Sequence, residues 1–200
     1  MKYQPIFLET IRLTKEGFAN LSYHQARVDQ TLKKHNLPSF DIKEVLIPFS
    51  SYSLTSEICR CRIIYGNIKL QISVLPYNPI VRNKVKIIRD DRISYNYKYY
   101  DRSQINKLLA GTNDDVVIIK NNKVTDSSLA NLVFENCSGL YTPLEPLLNG
   151  TTRQRLINEG VISVREISLQ DIKTFDYVYF INAMMPLGST PPVAINKLEY

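Results

Sequence analysis

Two hundred residues are enough to bury a real core, as one large domain or two small lobes. With 44% hydrophobic and 22% charged residues, the composition is that of an ordinary globular protein, which excludes a disordered or fibrous chain. A net charge of +6 is compatible with a nucleic acid, a membrane surface or an anionic small molecule; the basic residues are scattered and no nucleic-acid motif accompanies them, which favours a solvated face over a nucleic-acid patch.

No apolar run approaches the roughly 20 residues needed to span a bilayer. The opening Met1–Leu13 stretch carries Glu9 and Arg12 and lacks a secretory pattern, so a cytoplasmic protein is expected, with no membrane or nucleic-acid partner. Three cysteines, Cys59, Cys61 and Cys137, do not suggest a disulfide framework. Cys59 and Cys61 alternate with arginines in a strand-like stretch and read as small packing residues. Two histidines, His24 and His35, exclude a multi-histidine metal site, and no metal is expected.

Taken in chain order, residues 5–13 predict a strand and Asn20–Lys34 a helix, with Leu21, Val28 and Leu32 at helical spacing. Asp41–Phe49 predicts a second helix that starts near Asp41 and ends by Pro48. Strands at Glu57–Tyr65 and Asn67–Leu75 are expected to join through a tight turn at Gly66-Asn67. Pro76 and Pro79 break both helix and sheet, which places a lobe boundary there: a smaller N-terminal α/β lobe, 1–78, and a C-terminal lobe, 79–200.

The second lobe opens with a strand at Lys84–Arg89. Its basic residues, with Arg82, suggest a half-buried strand with a solvated face. The tyrosine-rich Tyr95–Tyr100 leads into a helix near Arg102–Leu109. Strand Val116–Lys120 turns at Asn121-Asn122 into Lys123–Thr125, and Asn131–Glu135 is another strand. Gly150-Thr151-Thr152 precedes a helix to Asn158, capped by Gly160. A strand, a short helix and a strand at Tyr177–Asn182 follow. The class is α+β, with mainly antiparallel strands and flanking helices.

Several residues are candidates for chemistry on pattern alone. Arg27, on a helix, has the fork that clasps an anion, or is a surface arginine. Thr151 and Thr152 at a helix start offer backbone N–H groups and hydroxyls to a phosphate, or simply cap the helix. Lys98 among tyrosines is a partly desolvated nucleophile or a solvated strand lysine. Asp126 is a turn residue or a buried charge partner.

The order of these pieces carries more. Phe7-Leu8-Glu9-Thr10, His24-Gln25-Ala26-Arg27-Val28 and Lys98-Tyr99-Tyr100-Asp101-Arg102 resemble successive motifs of the class IV aminotransferases. So do the block Val124–Phe134, the turn Leu148–Arg153 and the segment Ile181–Pro186. The last is similar to the Asn-Ala-Leu-Met-Pro segment of aminodeoxychorismate lyases. The resemblance covers nearly the whole chain and implies a two-lobed fold type IV enzyme, like D-amino acid aminotransferase, and a homodimer that binds pyridoxal 5′-phosphate (PLP).

It also implies roles. Lys98 would be the Schiff-base lysine and then the general acid and base. Asp126 would face the pyridine nitrogen, where the family has a Glu one methylene longer. Arg27 would grip the phosphate bidentately, with Thr151 and Thr152 donating to it. Asn182, Ala183 and Met184 would line the substrate side.

The reaction implied is that of a 4-amino-4-deoxychorismate lyase, releasing pyruvate and 4-aminobenzoate, a folate precursor. The alternatives are a class IV amino-acid aminotransferase and a non-catalytic binding protein on a decayed enzyme fold.

Overall fold

The structure, a computed structural model, describes residues 5–49, 54, 56–67, 70–82, 84–110 and 115–199. The chain forms two compact units, Met1–Asn78 with Tyr97–Asp101, and Pro79–Asn96 with Arg102–Tyr200.

In the first unit, β1 (Phe7–Thr14), β2 (Gly17–Phe18), β3 (Cys59–Tyr65) and β4 (Leu70–Pro76) form, among the described residues, an antiparallel sheet in the order β2-β1-β3-β4. Helix α1 (Leu21–His35) and the short α2 (Ile42–Leu46) supply Val28, Leu32, Ile42 and Leu46 to its core. Alternation decides which strand residues face inward. Phe7, Glu9, Ile11 and Leu13 of β1 and Cys59, Cys61, Ile63 and Tyr65 of β3 are buried. Both cysteines are therefore packing residues, wholly enclosed.

Local signals set the helix ends. Asn20 and Asn36 take left-handed backbone at either end of α1, and the Asn36 N–H closes back on Leu32 and Lys33. Lys33, Lys34 and His35 sit in the last turn, where the helix dipole favours cations. Asp41 caps α2 by accepting from the Lys43 N–H at 2.6 Å. That helix is shorter than expected. Ile47–Phe49 tighten into a 3-10 turn at Pro48, which has no N–H to give. Part of the expected Gly66-Asn67 connection, residues 68 and 69, lies outside the described residues.

The second unit contains β5 (Val85–Arg89), α3 (Ser103–Leu108), β6 (Asp115–Lys120), β7 (Lys123–Ser127), β8 (Asn131–Asn136), β9 (Gly139–Pro143), α4 (Thr151–Asn158), β10 (Ser163–Arg165), β11 (Tyr177–Ile181), β12 (Val193–Ala194) and β13 (Leu198–Glu199). Among the described residues its sheet runs β10-β9-β8-β7-β6-β5-β13, with β11 joining β8 to β12. Asn121 and Asn122 both adopt positive φ, the conformation a two-residue hairpin needs, and turn β6 into β7. Pairs β5–β6, β5–β13 and β9–β10 are parallel. The sheet is thus mixed, because α3 and α4 lie in the connections that return the chain in parallel. The inner strands β6 and β8 are buried on both faces.

Two expectations change. The Lys98 segment, placed with the C-terminal lobe from its position in the chain, packs with the first unit. The cause is backbone pairing with β1: Leu8 N–H donates to the Lys98 carbonyl at 2.9 Å, and Tyr100 N–H to that of Ile6 at 2.8 Å. Arg82 does not lie on a solvated face. Its buried guanidinium pairs with Asp115 at 2.5 Å and lies 4.5 Å over the Phe180 ring.

Candidate active site

The first unit encloses a polar cluster on the helix side of β1. The inward position that buries Phe7 and Ile11 also buries Glu9. His24 and Arg27, three apart on α1, share one helix face and meet that carboxylate. Arg27 donates from Nε to Glu9 Oε1 at 2.8 Å and from Nη2 to Oε2 at 2.6 Å, while His24 Nδ1 lies 2.5 Å from Oε2. Burial alone would raise the Glu9 pKa; the Arg27 charge and the His24 hydrogen bond outweigh it and hold it at about 2. Burial keeps His24 below its ordinary value despite Glu9, and its Nε2 is buried with no hydrogen-bond partner.

Arg27 was expected to grip a phosphate bidentately. The paired edge of its guanidinium clasps Glu9, the carboxylate buried on the adjacent strand, so a phosphate held here would share the guanidinium with Glu9. Lys98 is half-buried. Tyr99 N–H bonds back to the Tyr97 carbonyl at 2.9 Å, a γ-turn centred on Lys98. The rings of Tyr97 and Tyr99 both pack against Phe7. The Lys98 charge is one of those that hold the His24 pKa down, behind burial and Arg27, so it acts on the cluster under α1.

In the second unit, Asp126 stands near the end of β7, buried, directly opposite Asn131. Its Oδ1 accepts from Asn131 Nδ2 at 2.7 Å and its Oδ2 from Leu148 N–H at 2.8 Å. Asn131 Nδ2 also donates to the Leu148 carbonyl at 2.8 Å, which ties the carboxylate to the turn before α4. Burial pushes Asp126 up to about 7, although the Leu148 and Asn131 donors and the Arg153 charge pull it down.

Thr151 and Thr152 occupy the first turn of α4, both buried. Gly150 caps the helix with extended backbone and no side-chain hydrogen bond. Thr152 Oγ1 is buried with no hydrogen-bond partner. Arg153 braces the turn from behind, bonding Thr142 Oγ1 at 3.1 Å, Asn149 Oδ1 at 2.9 Å and the Pro143 carbonyl at 2.7 Å. Such a helix start is a seat for an anion, with unspent N–H groups and a spare hydroxyl.

Asn182 is engaged at both ends. Its Nδ2 donates to the Leu129 carbonyl at 3.1 Å, and its Oδ1 accepts from Met184 and Met185 N–H at 2.8 and 2.9 Å. It shapes the turn, while Ala183 stays partly exposed and Met184 is buried.

The structure thus brings Asp126, Thr151, Thr152, Asn182, Ala183 and Met184 into the second unit, with Lys98 and Arg27 in the first. Residue patterns had not singled out Glu9, His24, Asn131 or Arg153. The spacing of His24 and Arg27 on one helix face was a signal for the first cluster. Nothing in the chain order pointed to Asn131 as a bridge. Among the described residues no cluster of His, Cys, Asp or Glu suits a metal ion, and no helix is long and apolar enough to cross a membrane.

The profile of the amino-transferase class IV family matches residues 7–189. An uncharacterised protein of Haemophilus influenzae is 39% identical over 190 residues, 90% of this chain and 97% of that one. A crystal structure from Haemophilus somnus 129pt, provisionally named 4-amino-4-deoxychorismate lyase, superposes with a TM-score of 0.86 at 33% identity, covering 94% of this chain and all of the other. A hypothetical aminotransferase of Mycobacterium tuberculosis in its PLP-bound form shares the fold, with a TM-score of 0.77 at 16% identity over 97% of this chain and 81% of that one. The chain belongs to the class IV amino-transferase family, a family of PLP enzymes on a shared α+β fold.

Proposed function

We propose that this protein is a PLP-dependent 4-amino-4-deoxychorismate lyase that makes 4-aminobenzoate for folate synthesis. The residues present fit the cofactor. The observation that carries the fit is the buried, unpartnered Thr152 hydroxyl at a helix start capped by glycine alone. A phosphate oxygen supplies the acceptor this donor needs, and the helix dipole favours its charge. Asp126 fits the other end. A carboxylate raised to about 7 by burial gains from a cationic ring nitrogen.

When bound, PLP supplies an electron sink for the pair released at the substrate carbon that bears the amine. Lys98 would be the covalent anchor, and its Nζ would remove the proton from that carbon. Asp126 would accept a hydrogen bond from the ring nitrogen and keep it protonated. Thr151 and Thr152 bind the phosphate, and Arg27 adds charge while held by Glu9. Asn182 sets the turn that presents Ala183 to the substrate. The released pair would expel the enolpyruvyl oxygen and make the ring aromatic, and Lys98 Nζ would return the proton to the departing enolpyruvate, which leaves as pyruvate. The likeness of Ile181–Pro186 to the lyases, and the 33% identity to a protein provisionally named as one, favour elimination over amino transfer.

A steady-state assay tests this. Pyruvate release from 4-amino-4-deoxychorismate without any keto acid supports the lyase. Dependence on a keto-acid acceptor without pyruvate release makes it an aminotransferase. A purified protein that stays colourless with added PLP, and a Lys98→Ala variant that behaves identically, overturn the enzyme reading. Borohydride reduction fixing the yellow absorbance onto Lys98 supports it. The proposal includes a cytoplasmic homodimer, checked by sedimentation equilibrium of the purified protein.

A further inference from the structure

The Glu9 carboxylate is shared by two donors. Arg27 bonds both of its oxygens, and His24 Nδ1 lies 2.5 Å from Oε2. Glu9 is held ionised, at about 2, so the hydrogen of the His24 contact sits on Nδ1 and a neutral His24 has a bare Nε2. That atom is buried with no hydrogen-bond partner, and the side chain is wholly enclosed. A buried polar atom without a partner is rare in a folded protein.

The charges that act on the ring come from three elements: Arg27 on α1, Glu9 on β1, and Lys98 in the strip Tyr97–Asp101. Tyr65 of β3 lies in the field of Glu9 and Arg27, but burial pushes its phenol above the ordinary value and keeps it neutral. Burial is the first cause that holds His24 down. The Glu9 hydrogen bond and charge oppose it, and the Arg27 and Lys98 charges reinforce it. With His24 neutral, the charges of Glu9 and Arg27 cancel.

An anion at Arg27 upsets this balance. It draws on the guanidinium charge, so Glu9 loses part of its counter-charge. The opposition of Arg27 to a proton on His24 falls, while the pull of Glu9 stays. Nε2, the ring atom without a partner, is where that proton can go.

We infer that His24 is the reserve counter-charge of Glu9, and that it takes up a proton from solvent when a dianion of the phosphate class engages Arg27. This rests on the reading that Arg27 adds its charge at the cofactor phosphate. The sign of the pH dependence follows. Anion binding raises the His24 pKa, so the coupling strengthens binding fully below the free-state value and is lost as pH rises through the bound-state value. His24 is a positioning residue here, acting on the anion through Glu9 and Arg27.

The chain has two histidines, so ring NMR resolves both and His35→Gln assigns them. The probe is sulfate, a dianion shaped like phosphate that does not itself titrate in the working range. Wild type is titrated with pH, with and without saturating sulfate. The His24 midpoint should rise with sulfate, and the His35 midpoint should stay. Arg27→Gln removes one of the charges that oppose the proton, so its His24 midpoint should stand above that of wild type with no anion, and sulfate should add nothing. Calorimetry gives a second readout, on an Asp126→Asn background because Asp126 also titrates at about 7. There sulfate affinity should fall as pH rises, by up to about tenfold per pH unit, the limit for one proton. His24→Gln should make it independent of pH. A wild-type His24 midpoint that ignores sulfate, or a protein that binds no sulfate, overturns the inference without any variant. PLP in place of sulfate separates the two readings. If sulfate moves the His24 midpoint and bound PLP does not, the proton coupling stands and the role of Arg27 at the cofactor phosphate falls. If both move it, both stand, whatever the lyase assay gives.

Discussion

The amide oxygen of Asn131 occupies the space a β-carbon on Gly150 would need. The Asn131 side chain cannot easily move, because its nitrogen bonds both Asp126 and the Leu148 carbonyl. Gly150 is thus required by close approach rather than by backbone angle, and the two ends of the proposed cofactor site are fixed to each other.

Gly150→Ala should therefore damage both ends at once. Overpacking of this kind costs about 1–3 kcal/mol. The expected outcome is a lower melting temperature without cofactor and weaker PLP binding, read by thermal denaturation and by titrating the PLP absorbance. An unchanged melting temperature would mean that Asn131 moves aside.

Thr152→Val should separate stability from binding. The wild-type hydroxyl is buried without a partner, so its removal should leave the apo protein as stable or slightly more so. Affinity for PLP should fall about tenfold, the value of roughly 1.4 kcal/mol for one hydrogen bond to a charged oxygen. Equal affinity in both proteins would place the phosphate elsewhere.

How far the site was legible in the sequence differs by residue. Lys98, Asp126 and Thr151-Thr152 stand out in the sequence only through the order of motifs that resemble the family, because each lies in a local motif. Order and spacing could not assign the partner of Arg27. A helix face is a local property, whereas Glu9, far off in sequence, meets that face only once β1 packs under α1. The Cys59–Tyr65 alternation was readable, and with it the burial of both cysteines. Its other consequence, arginines lined along the opposite face, needs the register with β1. The two-residue strands β12 and β13 are too short to show a period, and the burial of Arg82 depends on Asp115, over thirty residues away.

Asp126 should make the apo protein's stability fall with rising pH. Its folded pKa of about 7 exceeds the unfolded value near 3.8, so the folded state holds the extra proton between them. The Asp126 contribution is greatest below about 4, declines up to about 7 and then levels. Asp126→Asn should flatten this decline, and saturating PLP should oppose it by favouring the ionised carboxylate. Chemical denaturation of the apo wild type and variant at pH 5 and pH 8 measures both slopes; parallel slopes would contradict the assignment.

Glu9 acts in the opposite sense. Held at about 2, it contributes stability that is present above about 4.5 and is lost as pH falls toward 2. Glu9→Gln leaves Arg27 buried without a full counter-charge, a change that costs about 3 kcal/mol. Urea denaturation at neutral pH should show that loss, and the difference from wild type should shrink in acid. A variant as stable as wild type at neutral pH would show that Arg27 finds another anion.

The strip Tyr97–Asp101 has a consequence for chain topology. The polypeptide leaves the first unit at Asn78, returns for five residues and leaves again at Asp101. Cutting the gene between Asn78 and Pro79 would yield two fragments, of which the longer keeps Lys98, the proposed cofactor anchor, and the shorter keeps β1, whose backbone pairs with the Lys98 segment. Neither half is self-sufficient. Function in a split protein would require fragment complementation, with the strip docking onto β1 of a separate chain.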